Sequence, residues 1–194
     1  MVILVVVALG VLYAVFQSNG QHTTASGNGN RFQVGSPGIG QSAPAFTLAS
    51  TAGGTVSLSA YRGKTVLLYF HEGLGCQPCW DQIRDLRQDW PQFHAAGVDD
   101  LVTITTGAVD LLARKMRDDN LTATALSDPD LSVSRAYHAN QYGMMGTGSD
   151  GHTFVLVGPT GVIQWRADYG GAPNYTMYVP PTQLLDDLRT GRAT

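Results

Sequence analysis

The sequence predicts an α/β sandwich built on a mixed central sheet, and three observations carry that expectation. From Ser42 onward, apolar runs of strand length alternate with segments of helical period. One run, Thr65 to His71 (TVLLYFH), is almost continuously β-branched, aliphatic and aromatic, as a central strand covered on both faces requires. The last two runs, Thr153 to Val157 and Val162 to Arg166, are joined by the turn Gly158-Pro-Thr-Gly161. An antiparallel hairpin closing a series of alternating elements makes the sheet mixed.

In chain order, Ala45 to Ala49 is a short apolar run, followed by a turn over Thr51 to Gly54 and the alternating stretch Thr55 to Leu58. Tyr61-Arg-Gly-Lys64 turns into the central strand. A helix is expected from near Cys76 to Trp90-Pro91, with Cys79, Ile83, Leu86 and Trp90 on one buried face and Pro91 ending or kinking it. Leu101 to Thr105 reads as the next strand, Val109 to Met116 as a helix, and Ala123 to Leu126 as a short strand. Asp128-Pro-Asp130 is placed to cap a helix over Leu131 to His138. After the hairpin, a helix from about Pro181 to Leu188 begins on proline, which the first turn tolerates.

Two segments precede this domain of residues 42–194. Residues 1–16 (MVILVVVALGVLYAVF) are apolar and uncharged and read as a membrane-anchor helix. They would span about 24 Å, slightly short of the ~30 Å hydrocarbon core, and no positive flank precedes them. A start site assigned downstream of the true one accounts for both shortfalls. A cleaved signal peptide and a buried helix or strand are the other readings. Residues 17–41 are rich in Gly, Ser, Asn, Gln and Thr and read as a flexible linker, which places the domain just off a membrane surface, outside the cytoplasm.

The chain has 194 residues, a net charge of −3 and a charged fraction of 14%. No stretch is basic enough to hold nucleic acid. There are only 2 cysteines, Cys76 and Cys79. A bridge between them closes almost no loop and adds little stability, so their spacing calls for a chemical explanation. Set between a buried strand and a helix, Cys76 meets the positive end of the helix dipole and unpaired N–H groups, which favour thiolate. Thiolate is the attacking species in disulfide exchange. Cys79, one turn on and on the apolar face, is the less exposed thiol and the one that resolves a mixed disulfide. Gly73 and Gly75 allow the sharp turn into the helix, and Pro78 costs little in its first turn. A structural zinc site needs four ligands; no second Cys pair exists and none of the five His is suitably spaced, so neither metal nor cofactor is expected.

Several strings carry a family resemblance: Ala43-Pro-Ala-Phe-Thr-Leu48, Val56-Ser-Leu58, Tyr61-Arg-Gly-Lys64, Leu67-Leu-Tyr-Phe70, Gly75-Cys-Gln-Pro-Cys79, Ser127-Asp-Pro-Asp130 and Thr153-Phe-Val-Leu156. From Ser42 to the C-terminus the chain resembles the thioredoxin superfamily, in its redoxin or peroxiredoxin-like (AhpC/TSA-like) branch. The resemblance implies a thioredoxin-like three-layer α/β/α sandwich, with Cys76 as nucleophile, Cys79 as resolving partner and Trp80 covering the disulfide. For an anchored member it implies thiol-disulfide exchange with protein dithiols and disulfides outside the membrane, recharged by a membrane electron-transfer partner.

Two departures qualify this. The position of the family's cis-proline, just before the strand that Thr153 opens, holds His152; as imidazolium it would stabilise the Cys76 thiolate, whereas a solvated turn histidine is the bland alternative. The family's buried acid is replaced by Phe70, which leaves Glu72, the one Glu of the chain, as candidate proton acceptor or as an exposed loop carboxylate. Peroxiredoxins also use a Pro, a Thr or Ser and an Arg to polarise peroxide. Tyr69 and Gly73 stand at the first two positions and no Arg lies near His152, which puts thiol peroxidase second to thiol-disulfide exchange. Copper delivery by the same thiols is the reading from a different class; Met144-Met145, beside Gly143 and Gly146, reads as core or loop packing or as the lining of a partner groove.

Overall fold

The structure is a computed structural model and describes residues 31–192. Seven strands are described: β1 (Thr47–Ser50), β2 (Thr55–Ser57), β3 (Val66–His71), β4 (Asp100–Thr105), β5 (Thr124–Ser127), β6 (Thr153–Val157) and β7 (Ile163–Asp168). The helices are α1 (Gln77–Gln88), α2 (Trp90–Ala95), α3 (Val109–Asp118), α4 (Ser132–Ala136) and α5 (Pro181–Gly191), with 3-10 turns at Leu58–Tyr61 and Ala139–Gln141.

The strands form one sheet in the order β2-β1-β5-β4-β3-β6-β7. β3, β4 and β5 run parallel; β6 returns antiparallel on β3 and β7 antiparallel on β6. The expectation for residues 65–71 therefore holds: β3 has neighbours on both edges, and all six of its residues are buried. Its side chains alternate between two cores. Leu67 and Tyr69 face Trp80, Ile83 and Leu86 of α1, Leu112 of α3 and Leu184 of α5. Val66, Leu68 and Phe70 face Phe46, Leu48, Val133 and Tyr137. Burial of two apolar faces, at about 25 cal/mol per Å², is what fixes a run this hydrophobic at the centre.

Three boundaries differ from expectation. The helix that begins after Cys76 breaks at Asp89, whose N–H turns back to the carbonyls of Arg87 and Asp85. Pro91 then sits in the first turn of α2, where a missing N–H costs nothing. Asp128 caps α4 from four residues ahead of it. Its carboxylate accepts the Ser134 N–H at 2.8 Å, the Ser134 hydroxyl at 2.7 Å and the Val133 N–H at 3.3 Å; the helix covers Ser132–Ala136 and ends before His138, whose φ is 51°. α5 runs three residues past Leu188.

The anchor expected over 1–16 lies outside the described residues, as do residues 17–30 of the expected linker. Among the described residues no helix is long and apolar enough to cross a membrane. The remaining part, 31–41, is not free chain: Gln33 pairs with Asp168 in both directions at 2.9 and 2.8 Å, and Gly40 and Gln41 bond Ile163. This segment lies along the outer edge of β7 and satisfies backbone groups that an edge strand leaves open.

Candidate active site

Cys76 is the N-cap residue of α1, and its carbonyl accepts the Cys79 N–H at 3.1 Å. The two cysteines form a disulfide, with Cα atoms 5.3 Å apart. Cys76 is 6% exposed and Cys79 wholly buried, so Cys76 is the sulfur an incoming molecule meets. Pro78 occupies the first helical turn, as expected.

The loop that delivers Cys76 is short and tightly held. Gly73 has φ of 86°, and a Cβ there would lie 2.9 Å from Thr105 Oγ1 and 3.0 Å from the Thr106 carbonyl, so only glycine meets both constraints. Its carbonyl accepts the Cys76 N–H at 3.1 Å and the Trp80 indole N–H at 3.0 Å. Trp80 was expected to cover the disulfide. It is completely buried in the α1 side of the core, in T-shaped contact with His71 at 5.0 Å between ring centres, and its indole N–H holds the Gly73 carbonyl of the loop.

Below this loop lies an aromatic column that the sequence did not reveal. Tyr69 stacks on Phe154 at 4.5 Å and on His71 at 5.2 Å between ring centres. His152 meets Tyr69 edge-on, and its Nδ1 lies 3.0 Å from the Tyr69 hydroxyl. Both imidazoles are fully buried. Burial pushes each down to about 3, the nearby His71 adding to the effect on His152. The imidazolium expected at His152 is therefore corrected: a ring stripped of water and packed among aromatic faces stays neutral at physiological pH. It is not a solvated turn histidine either. Burial, then the Glu72 carboxylate, raises the Tyr69 phenol well above its ordinary value, so Tyr69 keeps its proton.

Glu72 is not an exposed carboxylate. It is 8% exposed, and its Oε1 accepts the backbone N–H groups of Met144 and Met145, the latter at 3.1 Å. Thr153 faces away from His152, since successive strand residues point to opposite sides. Its hydroxyl donates to Asp168 Oδ1 at 2.8 Å. Asp168 also takes the Arg166 guanidinium at 2.9 Å through both Nε and Nη2, with the Gly35 N–H at 2.7 Å. Arg166 and Asp168 are thus a buried, bidentate pair in which the arginine is fully engaged. Thr153 belongs to that pair rather than to the sulfurs.

Asp150, which no sequence signal singled out, is completely buried beside Asp128. Ser134 and the Thr106 N–H lie near enough to favour its anion, but neither carboxyl oxygen has a well-formed hydrogen bond. Burial chiefly, and Asp128, raise its pKa well above the ordinary value. The unfolded chain loses this proton above about pH 4 while the fold retains it, so stability is lost as pH rises from there. Asp150→Asn, which keeps the shape without the charge, is expected to raise the melting temperature at pH 7 by a few degrees, with the gain vanishing below about pH 4. Thermal scans of both proteins from pH 3 to 7 check this.

Among the described residues no group of three or more His, Cys, Asp or Glu is arranged to hold a metal ion.

A disulfide at the head of a helix, fed by a central strand of a mixed sheet, defines a redox protein of thioredoxin-like fold. The AhpC/TSA family model matches residues 39–166, and the chain belongs to that family. It is similar to a protein of Mycobacterium tuberculosis strain H37Rv named "putative peroxiredoxin", 36% identical over 121 residues that cover 60% of this chain and 76% of the relative. It is also similar to peroxiredoxin Bcp of Escherichia coli K12, 33% identical over 107 residues, covering 55% and 65% respectively. Among solved structures, peroxidoxin BcpB of M. tuberculosis superposes with a TM-score of 0.63 at 18% identity, covering 80% of this chain and 98% of that one; this likeness concerns the fold.

Proposed function

We propose that the chain is a thiol peroxidase that works through a Cys76–Cys79 dithiol-disulfide cycle. The Cys76 thiolate attacks one oxygen of a hydroperoxide, the O–O bond breaks, and the departing oxygen leaves as water or an alcohol after taking a proton. The resulting sulfenic acid on Cys76 condenses with the Cys79 thiol, releasing water and forming the disulfide. A dithiol of another protein then reduces it, becoming a disulfide itself. The observation that carries this reading is the bonded pair, with the more exposed sulfur at the helix N-cap: the same two residues supply both attack and resolution. The peroxiredoxins among the relatives support peroxide as the oxidant.

A second reading is direct exchange with protein disulfides. Two observations favour it: Arg166, the buried arginine nearest in sequence to His152, is consumed by Asp168, and Tyr69 and Gly73 hold the places of the peroxide-polarising Pro and Thr. In either case we place the domain outside the cytoplasmic membrane, tethered by residues 1–16 and recharged by a membrane electron-transfer partner; the support is the uncharged apolar composition of that stretch. Fractionation of the producing cells tests the placement, since recovery in the cytoplasmic fraction would refute it.

The two chemistries are separated by presenting the reduced full-length chain with hydrogen peroxide or with oxidised insulin. Peroxidase action predicts disulfide formation orders of magnitude faster than oxidation of free cysteine at the same pH, with little insulin reduced. Rapid insulin reduction and a peroxide rate no better than free cysteine would reverse the ranking.

A further inference from the structure

The Glu72 carboxylate and the Ser149 hydroxyl join two loops that no other side chain bonds together among the hydrogen bonds described. The carboxylate accepts the N–H groups of Met144 and Met145, and the Glu72 carbonyl accepts the Ser149 hydroxyl at 3.2 Å. The facing segment is shaped to admit it: a Cβ on Gly143 would lie 2.7 Å from Glu72 Oε1 and 2.8 Å from the Asp150 carbonyl. Packing does little to hold this segment, since Met144 and Met145 are 58% and 64% exposed. The bonds to Glu72 do so, together with the Asn140 amide that donates to the Thr147 carbonyl at 3.1 Å. On its other side Glu72 begins the five-residue loop that ends in Cys76, whose far end is fixed by the bonds to the Gly73 carbonyl.

We infer that Glu72 is a positioning residue for the redox pair, fastening the Gly143–Ser149 segment to the loop ahead of Cys76 so that the two thiols of the reduced chain stay at the separation from which the disulfide closes. Closure of a dithiol transfers two electrons to an oxidant and releases two protons. Its equilibrium constant depends on how often the two sulfurs meet in the reduced state. A loop free at its Glu72 end lets Cys76 wander, makes closure less favourable and raises the reduction potential. This role differs from proton transfer, which depends on charge and basicity rather than on an acceptor oxygen at one place.

The test is a redox titration of the full-length chain in dithiothreitol buffers, read by mass after alkylation. Glu72→Ala is expected to lower the closure constant about tenfold, raising the potential by about 30 mV. Glu72→Gln, which retains an acceptor oxygen without the charge, is expected to stay within a third of that shift. Ser149→Ala, which removes one hydroxyl at a partly exposed site, is expected to move the potential the same way by less, and decides the matter if Glu72→Ala does not fold. Equal shifts for Gln and Ala would assign the effect to charge and overturn the inference. So would an unchanged potential in both Glu72→Ala and Ser149→Ala. The inference rests on the Cys76–Cys79 cycle proposed above: an unmodified chain without a reversible two-electron couple refutes that cycle, whereas an intact couple indifferent to these substitutions refutes only the role of Glu72.

Discussion

Cys76→Ser is expected to reduce peroxide turnover by roughly three orders of magnitude or more while leaving the fold intact. A serine hydroxyl in the same place is not ionised by a helix N-terminus at neutral pH, so no attacking anion remains, and removal of a nucleophile commonly costs on this scale. The fold should survive because the lost bridge closes a loop with only two residues between its cysteines, and short loops contribute little stability. Cys79→Ser is expected to behave differently. It retains the first attack and loses resolution, so the chain stops after one turnover as sulfenic acid or as a mixed disulfide through Cys76. Steady-state peroxide consumption, paired with mass analysis of the stalled species, distinguishes the two variants. Equal residual turnover in both would mean that the first attack is not confined to Cys76.

The second large effect is on stability below neutral pH. His71 and His152 titrate near 3 in the fold and near 6.5 once unfolded. Between those values the unfolded chain binds protons at these rings that the folded chain refuses, so their contribution to stability falls as pH drops below about 6.5 and continues to fall toward 3. At pH 5 the loss is about 2 kcal/mol for each ring, a substantial part of the 5–15 kcal/mol typical of a domain. Denaturant titrations at pH 7 and pH 5 check this. His152→Phe, which suits the aromatic surroundings and leaves nothing to protonate at that position, is expected to remove the contribution of one ring, about 2 kcal/mol between pH 7 and pH 5, while Asp150 acts in the opposite direction in both proteins. A pH dependence unchanged in that variant would show that His152 is not one of the groups responsible.

The architecture was legible because its signals are local. The run from Leu67 to Phe70 can be read as a doubly covered strand without knowing what covers it, and Gly75-Cys-Gln-Pro-Cys79 announces a helix that begins on a thiol. What was not legible depends on chain brought from far away. The charge state of His152 is decided first by burial, against chain that includes Tyr69, and then by His71; both residues lie some 80 positions earlier, and no local pattern says that water is excluded there. Glu72 looked like a loop carboxylate because its partners, Met144 and Met145, are 72 and 73 residues distant and offer backbone rather than side-chain groups. Thr153 stood beside His152 in sequence, but the pleat of β6 turns it toward Arg166 and Asp168. Residues 31–41 have the composition of a linker, and composition carries no record of the backbone bonds by which they pair with β7.

The central claim is that Cys76 and Cys79 pass between dithiol and disulfide in the course of reducing peroxide. It is tested most directly by adding one equivalent of hydrogen peroxide to the fully reduced full-length chain, then alkylating and weighing it. The reduced chain should take up two alkyl groups. After peroxide it should take up none, its mass should fall by two hydrogens, and dithiothreitol should restore both alkylation sites. A chain that still alkylates at both cysteines, or that gains oxygen which dithiothreitol does not remove, would contradict the account.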